Sequence, residues 1–237
     1  MHGAVIWMRY LACTSFSPEG YKVYGKRFLE SFLRHWPIEI VVFYEDQKPD
    51  LDNDRILYLN LCDDREFTSF QAEYGFFGTT DYRLMATKFS PKVFSITSNR
   101  IPQTDWLIWV DADVETFKDV DETFFDKTCL KEFNGSYIGR KDWDHSECGF
   151  VSYNLGNGGK EFLEDFRSLY STGMLFSLPQ WHDSYAFDYI REQNGNKFFN
   201  LAQDLSGMHP WPETILGDYM VHSKGPKAKI ETYGSYA

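Results

Sequence analysis

The sequence predicts an α/β fold: a single domain over residues 1–237, with a mostly parallel central sheet flanked by helices and a small antiparallel element. Three observations lead there. Trp106 to Val110 is an unbroken apolar run, with the length and character of a strand buried on both faces of a sheet. The opening of the chain alternates a β-type run, an amphipathic helical run and a second β-type run, the βαβ unit of a parallel sheet. The apolar run ends abruptly in Asp111-Ala112-Asp113, which puts two carboxylates at the carboxyl end of a buried strand, where open α/β sheets present their ligands.

Taken in order, Ala4 to Cys13 reads as the first strand and Thr14 to Gly20 as the loop at its end, on the same sheet edge as Asp111. Tyr24 to Trp36 has helical spacing, with Phe28, Leu29, Phe32 and Leu33 on one side and Lys26, Arg27 and Arg34 on the other. Ile38 to Tyr44 is rich in β-branched residues and makes the second strand; a third lies within Asn53 to Leu61. Asp63 to Asp81, acidic and aromatic with Gly75 and Gly78, reads as a mobile loop. Tyr82 to Ser98 is a helix that Pro91 kinks, with Lys88 and Lys92 on one face as cations for a phosphate group. Beyond the acidic pair, Val120 to Phe133 is helical and Ser136 to Arg140 strand-like. His145 to Asn154 forms a strand with glycine at its head, from which Glu147 and Asn154 would hydrogen-bond sugar hydroxyls while Gly149 admits a ligand close to the backbone. Gly158 to Ser171 is an amphipathic helix, Trp181 to Ser184 cap another reaching about Gln193, and Phe198 to Ala202 is a last short strand.

Composition narrows the function classes. Hydrophobic residues make up 43% of the chain and aromatics 18%, ample for a core and contrary to disorder. A net charge of −11 argues against a broad basic surface for nucleic acid or anionic lipid. Cys13, Cys62, Cys129 and Cys148 show neither zinc-type nor disulfide-type spacing, as expected of reduced thiols in a cytoplasmic protein. Arg9 interrupts the apolar opening and no signal-type cleavage site follows, while no window is long enough to span a bilayer; stable membrane insertion is not expected. Asn134-Gly135-Ser136 matches a glycosylation sequon and reads more simply as a turn.

The D-x-D pattern recurs in this acidic chain. Asp52-Asn53-Asp54 reads as a polar loop, Asp119-Val120-Asp121 as a helix start, and Asp142-Trp143-Asp144 lies among charged residues. Only Asp111 and Asp113 are launched by a fully apolar strand, and such a pair can share a hard divalent cation that also bridges phosphate oxygens. In the tail, His222 precedes a Lys-Gly-Pro-Lys turn; a neutral imidazole beside the carboxylates would give manganese a mixed nitrogen and oxygen set, with Lys227 as a diphosphate contact.

With these pieces placed, most of the chain resembles the small, Rossmann-like GT-A glycosyltransferases, which use nucleotide-sugar donors. Asp111-Ala112-Asp113 is similar to the family's acidic motif, Gly149 to Asn154 resembles a strand of glycogenin-like retaining members, and His222 to Lys227 resembles their C-terminal histidine turn with a shorter spacing to the lysine. Trp181-His182-Asp183-Ser184 resembles a segment of the histo-blood-group transferases, except that serine replaces the glutamate proposed there to face the anomeric carbon. The whole also looks like short phage-encoded glycosyltransferases, for which the host cytoplasm would be the location.

The resemblance implies a nucleotide-sugar half at about residues 1–115, an acceptor half at about 116–215 and a metal and diphosphate tail at 216–237. It implies Mn²⁺ or Mg²⁺ on Asp111, Asp113 and His222, with Lys227 on the diphosphate. Thr14, Ser15 and Phe16 would hold the nucleotide base, with Phe16 or Tyr21 stacking. Asp183 or Glu147 would be the catalytic carboxylate, with retention preferred; if Asp183 lay behind the acceptor it would be a general base giving inversion. Acceptors compatible with the resemblance are a cell-surface or small-molecule glycan and a modified base in phage DNA, the latter through Arg140, Lys141, Lys224, Lys227 and Lys229. A sugar nucleotidyltransferase and a non-catalytic carbohydrate-binding protein are the competing readings; the first would carry a glycine-rich, arginine-containing loop after strand one, and the second has no need of Asp111, Asp113 and His222 together.

Overall fold

The computed structural model describes residues 8–76, 78–143, 145–193 and 195–223. Strand β1 (Tyr10–Phe16) runs past the expected end of the first strand, so Thr14, Ser15 and Phe16 belong to the sheet and not to a loop. The chain then turns directly into helix. Ser17 caps α1 (Pro18–Gly20) by accepting from Gly20 N, Pro18 opens it, and one wider turn leads into α2 (Lys26–His35). β2 (Glu39–Tyr44) and β3 (Ile56–Asn60) follow.

The expected mobile loop from Asp63 to Asp81 is corrected by α3 (Arg65–Tyr74). Asp64 caps it by accepting from Glu66 N and Phe67 N, and Phe67 and Phe70 bury against Phe94. Those rings supply the tertiary packing that the acidic composition conceals. α4 (Ala86–Ile96) continues through Pro91, which cannot donate to Thr87 O. Gln71 Nε2 of α3 supplies a hydrogen bond to that carbonyl at 2.9 Å.

The chain continues through β4 (Trp106–Val110), β5 (Val114–Thr116), α5 (Glu122–Thr128), β6 (Gly135–Ile138), β7 (Glu147–Asn154), α6 (Gly159–Ser171), α7 (Asp183–Glu192), β8 (Phe198–Asn200) and β9 (Met220–His222). Asp121 caps α5 by accepting from Phe124 N, the structural role that its D-x-D setting suggested.

The main sheet has the order β3-β2-β1-β4-β7-β6-β8, with β3, β2, β1 and β4 mutually parallel and β7 antiparallel to both of its neighbours. Along β4 the side chains alternate between two cores. Trp106, Ile108 and Val110 join the layer formed with α2 and α5, whereas Leu107 and Trp109 join the layer formed with α3, α4, α6 and α7. Both faces are thereby covered, which explains why β4 is apolar throughout.

Two features of this topology build the site. Because β7 runs antiparallel to β4, its first residues reach the carboxyl end of β4, and Val110 pairs with Phe150. The separate two-stranded sheet pairs Val114 of β5 with His222 of β9, which carries the tail histidine back beside the acidic pair. No helix among the described residues is long and apolar enough to cross a membrane.

Candidate metal centre and its cavity

Asp111 leaves β4 with its backbone N–H donating to Gly149 O, and Ser223 N donates to Asp113 O at 3.2 Å. Central strand, antiparallel strand and tail are thus tied together at the backbone. The side chains converge accordingly: His222 Nε2 lies 3.1 Å from Asp113 Oδ1 and 3.8 Å from Asp111 Oδ2. One ligand atom from each of Asp111, Asp113 and His222 falls within 4.8 Å of the others.

Each member is oriented by a neighbour. Trp109 Nε1 donates to Asp111 Oδ1 at 2.6 Å and Lys92 Nζ to the same oxygen at 3.2 Å. Glu147, fully buried, bonds with His222 Nδ1 through Oε1 and with His209 Nδ1 through Oε2, both at 3.0 Å. A carboxylate on Nδ1 fixes the ring and commits Nε2 to whatever faces the aspartates, as outer-sphere carboxylates do for metal-bound histidines. Burial alone would depress the His222 pKa, but ion pairing and hydrogen bonding with Asp113, together with the bond to Glu147, raise it to about 9. In the metal-free protein the imidazolium therefore stands where a cation would.

The donor set fits a divalent ion: two hard carboxylates and one borderline imidazole, open on the cavity side, suit Mn²⁺ or Mg²⁺ far better than a thiolate metal. The cavity holds about 790 Å³, and Ser15, Phe16, Lys88, Lys92, Asp111, Asp113, Gly149, Asp183 and His222 are among its lining residues. A pocket of about 620 Å³ between Leu130 and Ile215 lies elsewhere and contains none of these groups.

Asp183 opens α7, and His182, not Asp183, is its N-cap, with Nδ1 accepting from Tyr185 N. The Asp183 carboxylate is left to face the cavity, 2.9 Å from Lys92 Nζ. Burial would raise its pKa, yet Lys92 outweighs this and keeps the carboxyl below its ordinary range. Lys92 therefore sits between Asp111 and Asp183, with Cys148 O as a third partner, and burial fails to lower its pKa because those carboxylates hold the proton. Its charge is already committed, so its expected role as a phosphate contact is corrected to that of a clasp between two acids. Lys88, exposed at the cavity wall, is the cation of α4 left to meet a phosphate.

Other expected site residues fall differently. Asn154 pairs with Trp106, at the far end of β4 from Asp111, and donates to Lys131 O and Phe133 O; it cannot reach a ligand at the acidic pair. Glu147 is sealed behind His222, so a direct catalytic role is replaced by a positioning one. Thr14 is fully buried within β1, not in a base-binding loop. Phe16 is 4% exposed, with Tyr21 stacked on it and Gly25 packed against it, which makes it a floor and not a stacking platform. Tyr21 Oη donates to Asp50 Oδ1 at 2.5 Å. Lys227 lies outside the described residues, as do Lys224 and Lys229.

Gly149 serves the protein's own histidine. A Cβ there would meet His222 Cε1 at 2.6 Å and Nδ1 at 2.9 Å. Gly149→Ala is expected to displace that ring, lowering stability by about 1–3 kcal/mol through overpacking and weakening Mn²⁺ binding. Chemical denaturation and calorimetric metal titration of the variant check both effects.

No protein-family model matches the chain, and no curated protein matches it. Solved structures do. An active-site mutant of LgtC superposes with a TM-score of 0.58 at 14% identity, covering 91% of this chain and 88% of that chain. A glycosyltransferase involved in glycosylation of the major capsid of PBCV-1 superposes with a TM-score of 0.50 at 13% identity, covering 94% of this chain and 99% of that chain. With its mostly parallel seven-stranded sheet, flanking helices and small antiparallel ribbon, the chain has the GT-A fold.

Proposed function

We propose that the protein is a metal-dependent glycosyltransferase that moves a sugar from a nucleotide-diphosphate donor to a hydroxyl of a glycan or small-molecule acceptor. The convergence of Asp111, Asp113 and His222 at the floor of a nucleotide-sized cavity carries this reading. Asp113, His222 and Asp111 would hold Mn²⁺ or Mg²⁺, which supplies charge neutralisation on the departing diphosphate.

The remaining work falls to side chains of the chain. When the glycosyl–phosphate bond breaks, its electron pair leaves with the diphosphate, and Lys88 offers a proton donor toward that charge. The sugar carbon becomes electron-poor. Asp183, held ionised by Lys92, presents negative charge to it. A carboxyl kept below its ordinary range is a poor proton acceptor and a good electrostatic partner, which favours charge stabilisation over general-base catalysis. That favours retention, with the acceptor entering on the face the diphosphate leaves. Tyr82 and Phe89 gather around His182, next in sequence to Asp183, and apolar ring faces of this kind suit a sugar acceptor. A DNA acceptor has less support, because of the five cations considered for it only Arg140 and Lys141 lie among the described residues, and Arg140 Nη2 is spent on Ser146 O.

A thermal-shift screen of nucleotide sugars with and without Mn²⁺ tests the proposal. A donor at about 100 times its Kd adds roughly 2.7 kcal/mol of apparent stability, seen as a rise in Tm that requires the metal. Equal shifts with and without Mn²⁺, or none with any donor, would count against it.

A further inference from the structure

We propose that Glu45 is the group that selects the donor nucleotide, accepting from a pair of adjacent hydrogen-bond donors: the 2′,3′-diol of a ribose or the amide–amine edge of guanine. The inference rests on the function proposed above and names the chemistry by which the same cavity holds its nucleotide.

Glu45 follows the last residue of β2 and lines the cavity that Asp111 and Asp113 line. The register places it. β1 lies between β2 and β4, Cys13 pairing with Val41 on one side and with Trp109 on the other, while Phe16 pairs with Tyr44. Glu45 and Asp111 therefore emerge at the same sheet edge two strand spacings apart, about 10 Å at roughly 4.8 Å per spacing. A nucleoside whose diphosphate lies over the acidic pair lays its ribose and base across β1 toward β2.

The carboxylate is half-buried and has neither a hydrogen-bond donor nor a cation among the described residues. Burial and the neighbouring Asp46 push its pKa upward. A carboxylate so placed is under-satisfied in the free protein and gains from any neutral N–H or O–H pair brought to it. The backbone holds it there: Asp46 adopts φ 56°, in the left-handed region, and Gln47 N donates back to Glu45 O at 2.6 Å. Such strain, stored at the end of a strand that faces a cavity, is in keeping with a binding role. Across the cavity Gln71 spends its amide N–H groups on Thr87 O and Ser90 Oγ, so the anion is not answered from that side.

Calorimetric titration of UDP, GDP and their 2′-deoxy forms in the presence of Mn²⁺, on the wild-type protein and on Glu45→Gln, tests the assignment. If the ribose is gripped, Glu45→Gln weakens UDP and GDP alike by about tenfold, the scale of one hydrogen bond to a charged group. The wild type then disfavours the 2′-deoxy forms to the same extent, and the variant ceases to distinguish them. If guanine is gripped, the variant loses GDP binding while UDP is unaffected, and the 2′-hydroxyl is immaterial. The wild-type comparison alone must show one of these preferences, so a poorly folded variant does not shelter the assignment. Binding of all four nucleotides by Glu45→Gln within twofold of the wild type overturns it. A wild type that binds no nucleotide with Mn²⁺ overturns this inference and the proposed function together; binding that ignores Glu45 overturns this inference alone.

Discussion

Asp113→Ala is expected to lower turnover by about 10³-fold or more and to abolish the dependence on Mn²⁺, while the protein remains folded. Asp113 is 9% exposed, its Oδ1 lies 3.1 Å from His222 Nε2, and its carbonyl is bonded by Ser223 N through backbone alone. Truncation removes one ligand without breaking the strand pairing of Val114 with His222. Charge stabilisation by a metal is worth several kcal/mol, and each 1.4 kcal/mol or so is tenfold in rate. Steady-state kinetics over a Mn²⁺ titration reads the loss, and circular dichroism confirms that secondary structure is kept. An Asp113→Ala enzyme that still responds to Mn²⁺ at wild-type concentrations would place the metal elsewhere.

Asp183→Asn is the second large effect. The amide keeps the size of the side chain but removes the negative charge that Lys92 holds in the cavity. Turnover should fall by about 100-fold or more, in the range found when one electrostatic stabiliser is removed, with the donor KM little changed because the diphosphate contacts are untouched. If Asp183 acted as a general base, the wild-type rate would instead climb with pH through its titration, and raising pH would not be flat across the neutral range. The lowered pKa of Asp183 predicts that its ionisation is complete well below neutrality, so the neutral limb of the pH profile is set by other groups. Presteady-state kinetics of wild type and variant at several pH values separate the two roles.

How far the sequence reveals this arrangement depends on what a local pattern can encode. The strand Trp106–Val110 and the pair it launches are legible because burial on both faces demands five apolar residues, and ionic ligands must then stand where the strand emerges. His222 is legible as a candidate, and the structure brings it to Asp111 and Asp113 through the β5–β9 ribbon, whose three-residue strands leave almost no periodic signal. The direction of β7 is not legible. A strand pattern has no arrow relative to its neighbours, and an antiparallel β7 exchanges the ends, bringing Glu147 and Gly149 to the site and removing Asn154. Lys92 and Lys88 look equivalent along α4, yet a side chain from α7 and one from β4 claim the first and leave the second. The missed helix α3 did carry a signal: Asp64 as a cap, followed by Phe67, Phe70 and Tyr74 at helical spacing. Trp109 and His209, the partners of Asp111 and Glu147, show themselves only in three dimensions.

Anomalous diffraction from crystals soaked in Mn²⁺ tests the centre most directly. A single peak bounded by Asp111, Asp113 and His222 Nε2, with Glu147 still on Nδ1, is the predicted result. The absence of a peak there, or a peak between Glu147, His209 and His222 instead, would contradict the proposed metal centre and the chemistry built on it.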